Sequence, residues 1–186
     1  MVTVGDTRAI LGGPDMASGI KVMSRTHSPA DPTEAARIRK MGGQVKAFPD
    51  SATSAKTFAF TEIIERERLL GPTERVFAPN EWTPGLAVSR AFGDRGAKLL
   101  GVSVVPDFVV ATTGYCRRAL IIASDGVWDV MDDKTAMQLC LAFAAENDAE
   151  EASRTLVSAA RERWEEMVLR SPVTIDDISA VVVFLP

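Results

Sequence analysis

Two apolar runs dominate the second half of the chain, Ala119-Leu120-Ile121-Ile122-Ala123 and Ala180-Val181-Val182-Val183-Phe184-Leu185. Both read as buried strands, the second without interruption, and each abuts acidic residues. Upstream, Val2, Val4 and Ala9-Ile10-Leu11 flank Gly5-Asp6-Thr7-Arg8, which predicts two short strands or one bent one. Residues 19–24 alternate in strand fashion, 44–48 predict another strand, and 102–110 predict one broken by Pro106, as at an edge or bulge. Helical signals separate them. Asp31-Pro32-Thr33-Glu34 combines a capping Asp, a Pro at the first position and a Glu three residues on, and Gly42-Gly43 stops that helix. Asp132-Asp133 cap a helix to about residue 145, with Leu139 and Phe143 at helical spacing. A second helix covers about 148–168, with Leu156, Ala159, Ala160, Trp164 and Met167 on one face, read as core.

The least regular region is 49–80. It holds Ser51-Ala52-Thr53-Ser54-Ala55 and the charged run Glu65-Arg66-Glu67-Arg68, the latter expected as a solvated face of a helical piece near 61–70. No internal repeat or low-complexity segment is present. Strands before and after paired helices give an α+β order.

Composition narrows the function. Hydrophobic residues make up 46% and charged residues 25% of 186 residues, ordinary for one globular domain or most of a larger one. A net charge of −4 argues against a nucleic-acid binder, which wants a basic face. No apolar stretch reaches the roughly 18 residues of a membrane span, and the first residues carry no signal-peptide pattern. Two cysteines, Cys116 and Cys140, suit a reducing compartment, so a cytoplasmic or nuclear setting is expected. The single histidine, His27, leaves little for a histidine-based zinc site or a histidine-containing triad. Neither cysteine is followed by a phosphate loop ending in Arg, which removes thiol-based phosphate chemistry.

The chemistry that remains is carboxylate chemistry. Ala123-Ser124-Asp125-Gly126 ends the first apolar strand, and Asp129 follows Asp125 by four residues, on the same side of a helical turn. Such a pair has two readings: a polar turn closing a core strand, or hard oxygen ligands for Mg²⁺ or Mn²⁺ at a sheet rim. Asp176 stands just ahead of the last strand. If the two strands pair antiparallel, Asp125 and Asp176 meet at one rim. Asp6, in a Gly-Asp turn, adds a carboxylate from a third strand region. Four carboxylates at one rim would repel unless cations neutralise them, and two metals roughly 3.5–4 Å apart would do so and supply a nucleophile.

Five ordered segments resemble the metal-dependent serine/threonine protein phosphatases of type 2C, the PPM family. Val4-Gly5-Asp6-Thr7-Arg8-Ala9 is similar to that family's Val-Gly-Asp-Ser-Arg-Ala strand. Glu34, Arg37-Ile38 and Gly42-Gly43 resemble its helix ending in paired glycines. Gly85-Leu86-Ala87-Val88-Ser89-Arg90-Ala91-Phe92-Gly93-Asp94 is nearly its Gly-Leu-Ala-x-Ser-Arg-Ala-Phe-Gly-Asp. Ser124-Asp125-Gly126-Val127-Trp128-Asp129 matches its Ser-Asp-Gly-x-Trp-Asp, and Asp176-Asp177-Ile178-Ser179 its terminal Asp-Asn-x-Ser/Thr element.

The resemblance implies a β-sandwich flanked by helices in α-β-β-α layers, incomplete at the amino terminus, as a single partial phosphatase domain over 1–186. A flap-like insertion would occupy about 49–80. It implies hydrolysis of phosphoserine and phosphothreonine in phosphoprotein substrates, with Mg²⁺ or Mn²⁺ as cofactor, two or more ions in a complete domain. Asp125 and Asp176 would bind the metal pair directly and so act as the catalytic residues, with a bridging water attacking phosphorus. Asp6 and Asp129 match carboxylates of a further metal position. Arg90 and Asp94 are expected to be structural, pairing or capping locally.

Two departures stand out. Asp177 replaces the usual Asn, adding negative charge beside a metal ligand. The chain also contains no Arg ahead of a Met-Glu-Asp run and no Asp-Gly-His-Gly-Gly, which in the family supply a bridging carboxylate, a phosphate-binding Arg and a proton-donating His. His27, in a Thr-His-Ser-Pro loop, matches a different, non-catalytic position. Strands missing from the sandwich would expose a sheet edge, and a partner covering that edge is expected. The alternative to an enzyme is a catalytically silent phosphatase-like fragment acting as a binding or regulatory module.

Overall fold

Alternation within one strand organises the molecule, a computed structural model describing residues 1–13, 19–48, 63, 65–67, 69–110, 118–169 and 173–185. In β8 (Arg118–Ala123), Ala119, Ile121 and Ala123 are buried on one face and Leu120 and Ile122 turn to the other. β8 is central in a four-stranded antiparallel sheet with β3 (Lys21–Val22), β2 (Arg8–Gly12) and β9 (Ala180–Leu185), in the order β3-β2-β8-β9. The register sets Ile10 opposite Ile121 and Val182 opposite Ile121 on the other side.

The helices follow the capping signals. Asp132 accepts from Thr135 N–H at 2.9 Å at the start of α4 (Asp133–Leu141), and Asp148 accepts from Glu151 N–H at 3.0 Å at the start of α5 (Ala149–Val168). Both cover the face of the sheet that carries Ile10, Ile121 and Val182. They contribute Met137, Cys140, Leu156 and Ala160 to its core. On the opposite face Ala9, Leu11 and Met23 are buried against Met1, Val109, Leu120, Ile122 and Leu185. Between β8 and α4 lies a single short helix, α3 (Asp125–Trp128).

A smaller unit packs beside this one. α1 (Pro32–Lys40) is capped by Asp31 and followed by the three-stranded antiparallel sheet β4 (Gln44–Lys46), β5 (Arg75–Phe77) and β6 (Pro84–Leu86), then α2 (Arg95–Leu99). Ile38, Val76, Ala97 and Val102 form its core. Glycine is required at two approaches: a Cβ on Gly43 would stand 2.7 Å from Leu100 O, and one on Gly101 2.9 Å from the Cα of Ile38. A two-stranded ladder, β1 (Val2–Thr3) with β7 (Asp107–Phe108), completes the described strands.

This is the α+β class expected, with local corrections. β3, β4 and β7 are shorter than the alternation predicts. At 102–110 the hydroxyl of Ser103 accepts from Val105 N–H and the Arg90 side chain donates to Val105 O, so side chains use groups that a ladder would need. β9 is not buried throughout. Val182 faces the helices, whereas Val181 and Val183 project from the other face, 55% and 38% exposed. α4 ends at Leu141, four residues early, in turns that lead to Asn147 at φ 55°. The stretch 51–55 and Cys116 lie outside the described residues. Helical backbone is found at 63, 65–67 and 69–70, where a helical piece was expected.

The two units are joined by a buried polar chain. Glu34, 1% exposed, accepts from Ser89 Oγ at 2.6 Å, Arg37 Nη2 at 2.7 Å and Arg90 Nη2 at 2.7 Å. Arg90 continues to Asp107 at 2.9 Å, and Asp107 meets His27 Nε2 at 3.2 Å. Gly5 N–H donates to His27 Nδ1 at 3.1 Å, so the ring's proton sits on Nε2 and donates to Asp107. Arg90 is thus a structural residue, as expected. Burial pushes the Glu34 carboxyl up, but hydrogen bonds from Arg90, Arg37 and Ser89 outweigh it and hold it well below the usual carboxylate range.

Removing this carboxylate strands two guanidinium groups. Glu34→Gln is expected to lower unfolding free energy in urea by roughly 3–5 kcal/mol, toward the lower end because Arg90 keeps Asp107. Since the folded value is depressed, Glu34's contribution is present above its ordinary value of 4.5 and is lost as pH falls below it. Urea titrations at stepped pH should therefore show a shallower acid-side loss in the Gln variant than in the parent.

Candidate active site

The rim of the four-stranded sheet is built where β8 ends and β9 begins. Ala123 pairs with Ala180, so the residues just past the one and just before the other meet. Ser124 N–H donates to Ser179 O at 3.0 Å, and the Ser124 hydroxyl donates to Asp177 O at 3.0 Å while accepting from Ser179 N–H at 3.1 Å. Gly126 allows the closest approach. A Cβ there would lie 2.4 Å from Asp177 O. Its role is this contact between α3 and the loop carrying Asp176, rather than the turn freedom that its position after Asp125 suggests. Trp164 Nε1–H donates to Gly126 O at 2.7 Å, tying the same turn to α5.

On this scaffold Asp125 opens α3 and Asp129 follows one turn later, its N–H donating to Asp125 O at 2.8 Å. Asp176 is fixed by its own loop, accepting from Asp177 N–H at 2.8 Å. Asp6 arrives on the Gly5 turn, where Gly5 has φ +110°. Asp6, Asp125, Asp129 and Asp176 line a single cavity of 490 Å³, together with Arg8, Arg66, Arg75 and Trp128. All four aspartates read from the sequence as site residues are brought together. Asp177, in contrast, is exposed at the rim and engages the site through its backbone.

A guanidinium stands among the carboxylates. Arg66 Nη2 lies 2.7 Å from Asp129 Oδ2 and 3.6 Å from Asp125 Oδ2, and its Nη1 lies 2.6 Å from Asp176 Oδ2. Within the charged run, Arg66 and Glu67 are therefore not a solvated face. Arg66 turns inward, and Glu67 pairs with Arg75 at 3.1 Å. Nothing in the run's spacing distinguished this arginine from Arg68. Ser124 was likewise missed, although its place between strand and acidic turn was visible.

One arginine does not neutralise four aspartates. Burial, followed by the charges of Asp176, Asp6 and Asp129, pushes the Asp125 carboxyl up to about 6, against the lowering effect of Arg66. The donors, all carboxylate oxygens, fit a hard divalent cation in kind. Their present spacing follows the guanidinium, and among the described residues no three acidic, His or Cys side chains are arranged as a coordination shell.

The steric lock at Gly126 makes a test. Gly126→Ala must push the 176–178 loop outward, which is expected to cost roughly 1–3 kcal/mol in urea unfolding. Gly96→Ala in α2, where added bulk would meet nothing, serves as the control with little expected effect.

Known proteins identify the family. A sequence profile described as Protein phosphatase 2C matches residues 2–166. The chain is 32% identical over its whole length to the "Probable protein phosphatase 2C 64" of Oryza sativa subsp. japonica, covering 38% of that protein. It is also 32% identical to the "Probable protein phosphatase 2C 52" of Arabidopsis thaliana, covering 35% of it. The chain thus spans under half the length of these two relatives. Among solved structures, serine-threonine phosphatase 2C from Toxoplasma gondii superposes with a TM-score of 0.65 at 26% identity, over 100% of this chain and 54% of that one. A C. elegans sex determining protein shares the fold with a TM-score of 0.70 at 23% identity, over 100% of this chain and 36% of that one. With the profile running through the strand and turn that carry Asp6, Asp125 and Asp129, the chain belongs to the protein phosphatase 2C family.

Proposed function

We propose that this chain is part of a Mg²⁺- or Mn²⁺-dependent protein serine/threonine phosphatase domain, with residues 49–80 as its flap. The supporting observation is the convergence of Asp6, Asp125, Asp129 and Asp176 on one cavity from three separate segments. In this reading Asp125 and Asp176 hold the catalytic ions, and Asp6 and Asp129 serve a further position. Divalent ions, when bound, supply Lewis-acid polarisation of phosphoryl oxygens and acidify water at neutral pH.

The chain's own residues set the geometry for this chemistry. Ser124 and Gly126 fix the separation between the Asp125 turn and the Asp176 loop. Trp128 walls the cavity, its Nε1–H donating to Ala123 O at 2.8 Å, and Arg8 stacks over its ring at 4.4 Å. Arg8 also pairs with Asp133 at 2.6 Å, so its charge is committed to holding β2 against α4. His27 faces Gly5 and Asp107. It is not placed to protonate a serine or threonine leaving group, and that proton must come from water or from a group outside these residues. Substrates are phosphoproteins. Among the described residues no helix is long and apolar enough to cross a membrane, and a cytoplasmic or nuclear setting suits this reading.

The deciding experiment is Mn²⁺-dependent hydrolysis of a phosphothreonine peptide. Asp125→Asn is expected to abolish turnover while leaving the fold largely intact; undiminished turnover would remove Asp125 from the metal site. Asp177→Asn, which restores the family's residue, is expected to raise turnover or leave it unchanged, and a severe loss would make Asp177 a ligand. A folded chain that releases no phosphate would favour an incomplete piece of the domain or the silent, phosphatase-like binding module over an enzyme active by itself.

A further inference from the structure

Arg66 has no counterpart among the motifs that define the site, yet it makes the densest set of contacts there. Its fork reaches Oδ2 of Asp125, Asp129 and Asp176, three carboxylates from two different segments. The face of Trp164 lies 5.5 Å from its Cζ, giving the cation an aromatic wall. Arg8 and Arg75 line the same cavity but are engaged elsewhere, on Asp133 and on Glu67. The oxygens that Arg66 holds are those a divalent ion would need. The guanidinium sits 2.7 Å from Asp129 Oδ2 and 2.6 Å from Asp176 Oδ2, in the space between these carboxylates that an ion ligated by the same oxygens would occupy.

We propose that Arg66 is a built-in competitor for the metal site: ions bind Asp125, Asp129 and Asp176 only as its guanidinium withdraws, so this side chain sets the site's metal affinity. The inference rests on the metal-site reading above. Withdrawal need not disturb the sheet, since Arg66 belongs to the stretch between β4 and β5 and pairs with no strand. Occupancy by Arg66 reduces apparent affinity by the fraction of molecules in which the carboxylates are free. Linkage makes the effect reciprocal, so ion binding must release Arg66 to the same degree.

Calorimetric titration of Mn²⁺ into the 186-residue chain and into Arg66→Gln tests this directly. The Gln variant is expected to bind Mn²⁺ roughly ten- to hundredfold more tightly. Without metal it should melt at a lower temperature than the parent, its carboxylates having lost their counter-ion, and Mn²⁺ should raise its melting temperature more. If Arg66→Gln does not fold, Arg66→Lys carries the test: it keeps the charge, loses the fork, and should still bind Mn²⁺ more tightly than the parent. Equal or weaker affinity in the variant, with Asp125-dependent binding retained in the parent, overturns the competition alone. Absence of Mn²⁺ binding in every protein overturns the metal-site reading and the competition with it.

Discussion

Four aspartates around one 490 Å³ cavity set like charges against one another, and that repulsion governs the site. The fold itself forces the carboxylates together. Asp125 and Asp129 are carried by one short helix, Asp176 by the loop leading into a paired strand, and Asp6 by a turn. The structure answers the repulsion with Arg66, and the raised Asp125 carboxyl shows that the answer is incomplete. A site that leaves net negative charge in a small polar cavity is one that attracts further positive charge.

The pairing of β8 with β9 is what makes this arrangement specific. A slip of one residue would turn Ile121 and Val182 away from the helices and carry Asp176 off the rim. Ser124 and Gly126 secure the register at its end, one by hydrogen bonds in both directions and the other by its lack of a side chain. Trp164 then links the longest helix to the same turn. The third corner of the site depends on a separate device. Asp6 is oriented through Gly5, which is held by His27, Asp107 and Arg90, and so by the buried Glu34 of the smaller unit. Core packing and site geometry are therefore the same set of contacts seen from two sides.

Much of this was readable from the chain. Local rules sufficed where the cause is local: Asp31, Asp132 and Asp148 cap helices because their side chains reach nearby N–H groups. The convergence of Asp125 and Asp176 followed from a single conditional, antiparallel pairing of two apolar strands. Short strands were less legible. At 102–110 the competing hydrogen bonds come from Ser103 and from Arg90, and the Arg90 contribution cannot be inferred from residues adjacent in sequence. The burial of β9 was overread because an all-apolar run does not reveal which of its faces is covered.

The sequence by itself determined the class of chemistry, since it offers aspartates in ordered motifs and only one histidine, and it determined where the capped helices start and the strand that carries Asp125. Tertiary structure alone decided that Arg66 meets the aspartates in the cavity and why Gly126 must be glycine. Both depend on distances between segments far apart in the chain, Arg66 to Asp176 and Gly126 to Asp177 O. Periodicity and propensity act over a few residues, whereas an ion pair or a close approach is fixed only when the whole sheet and its helices have packed.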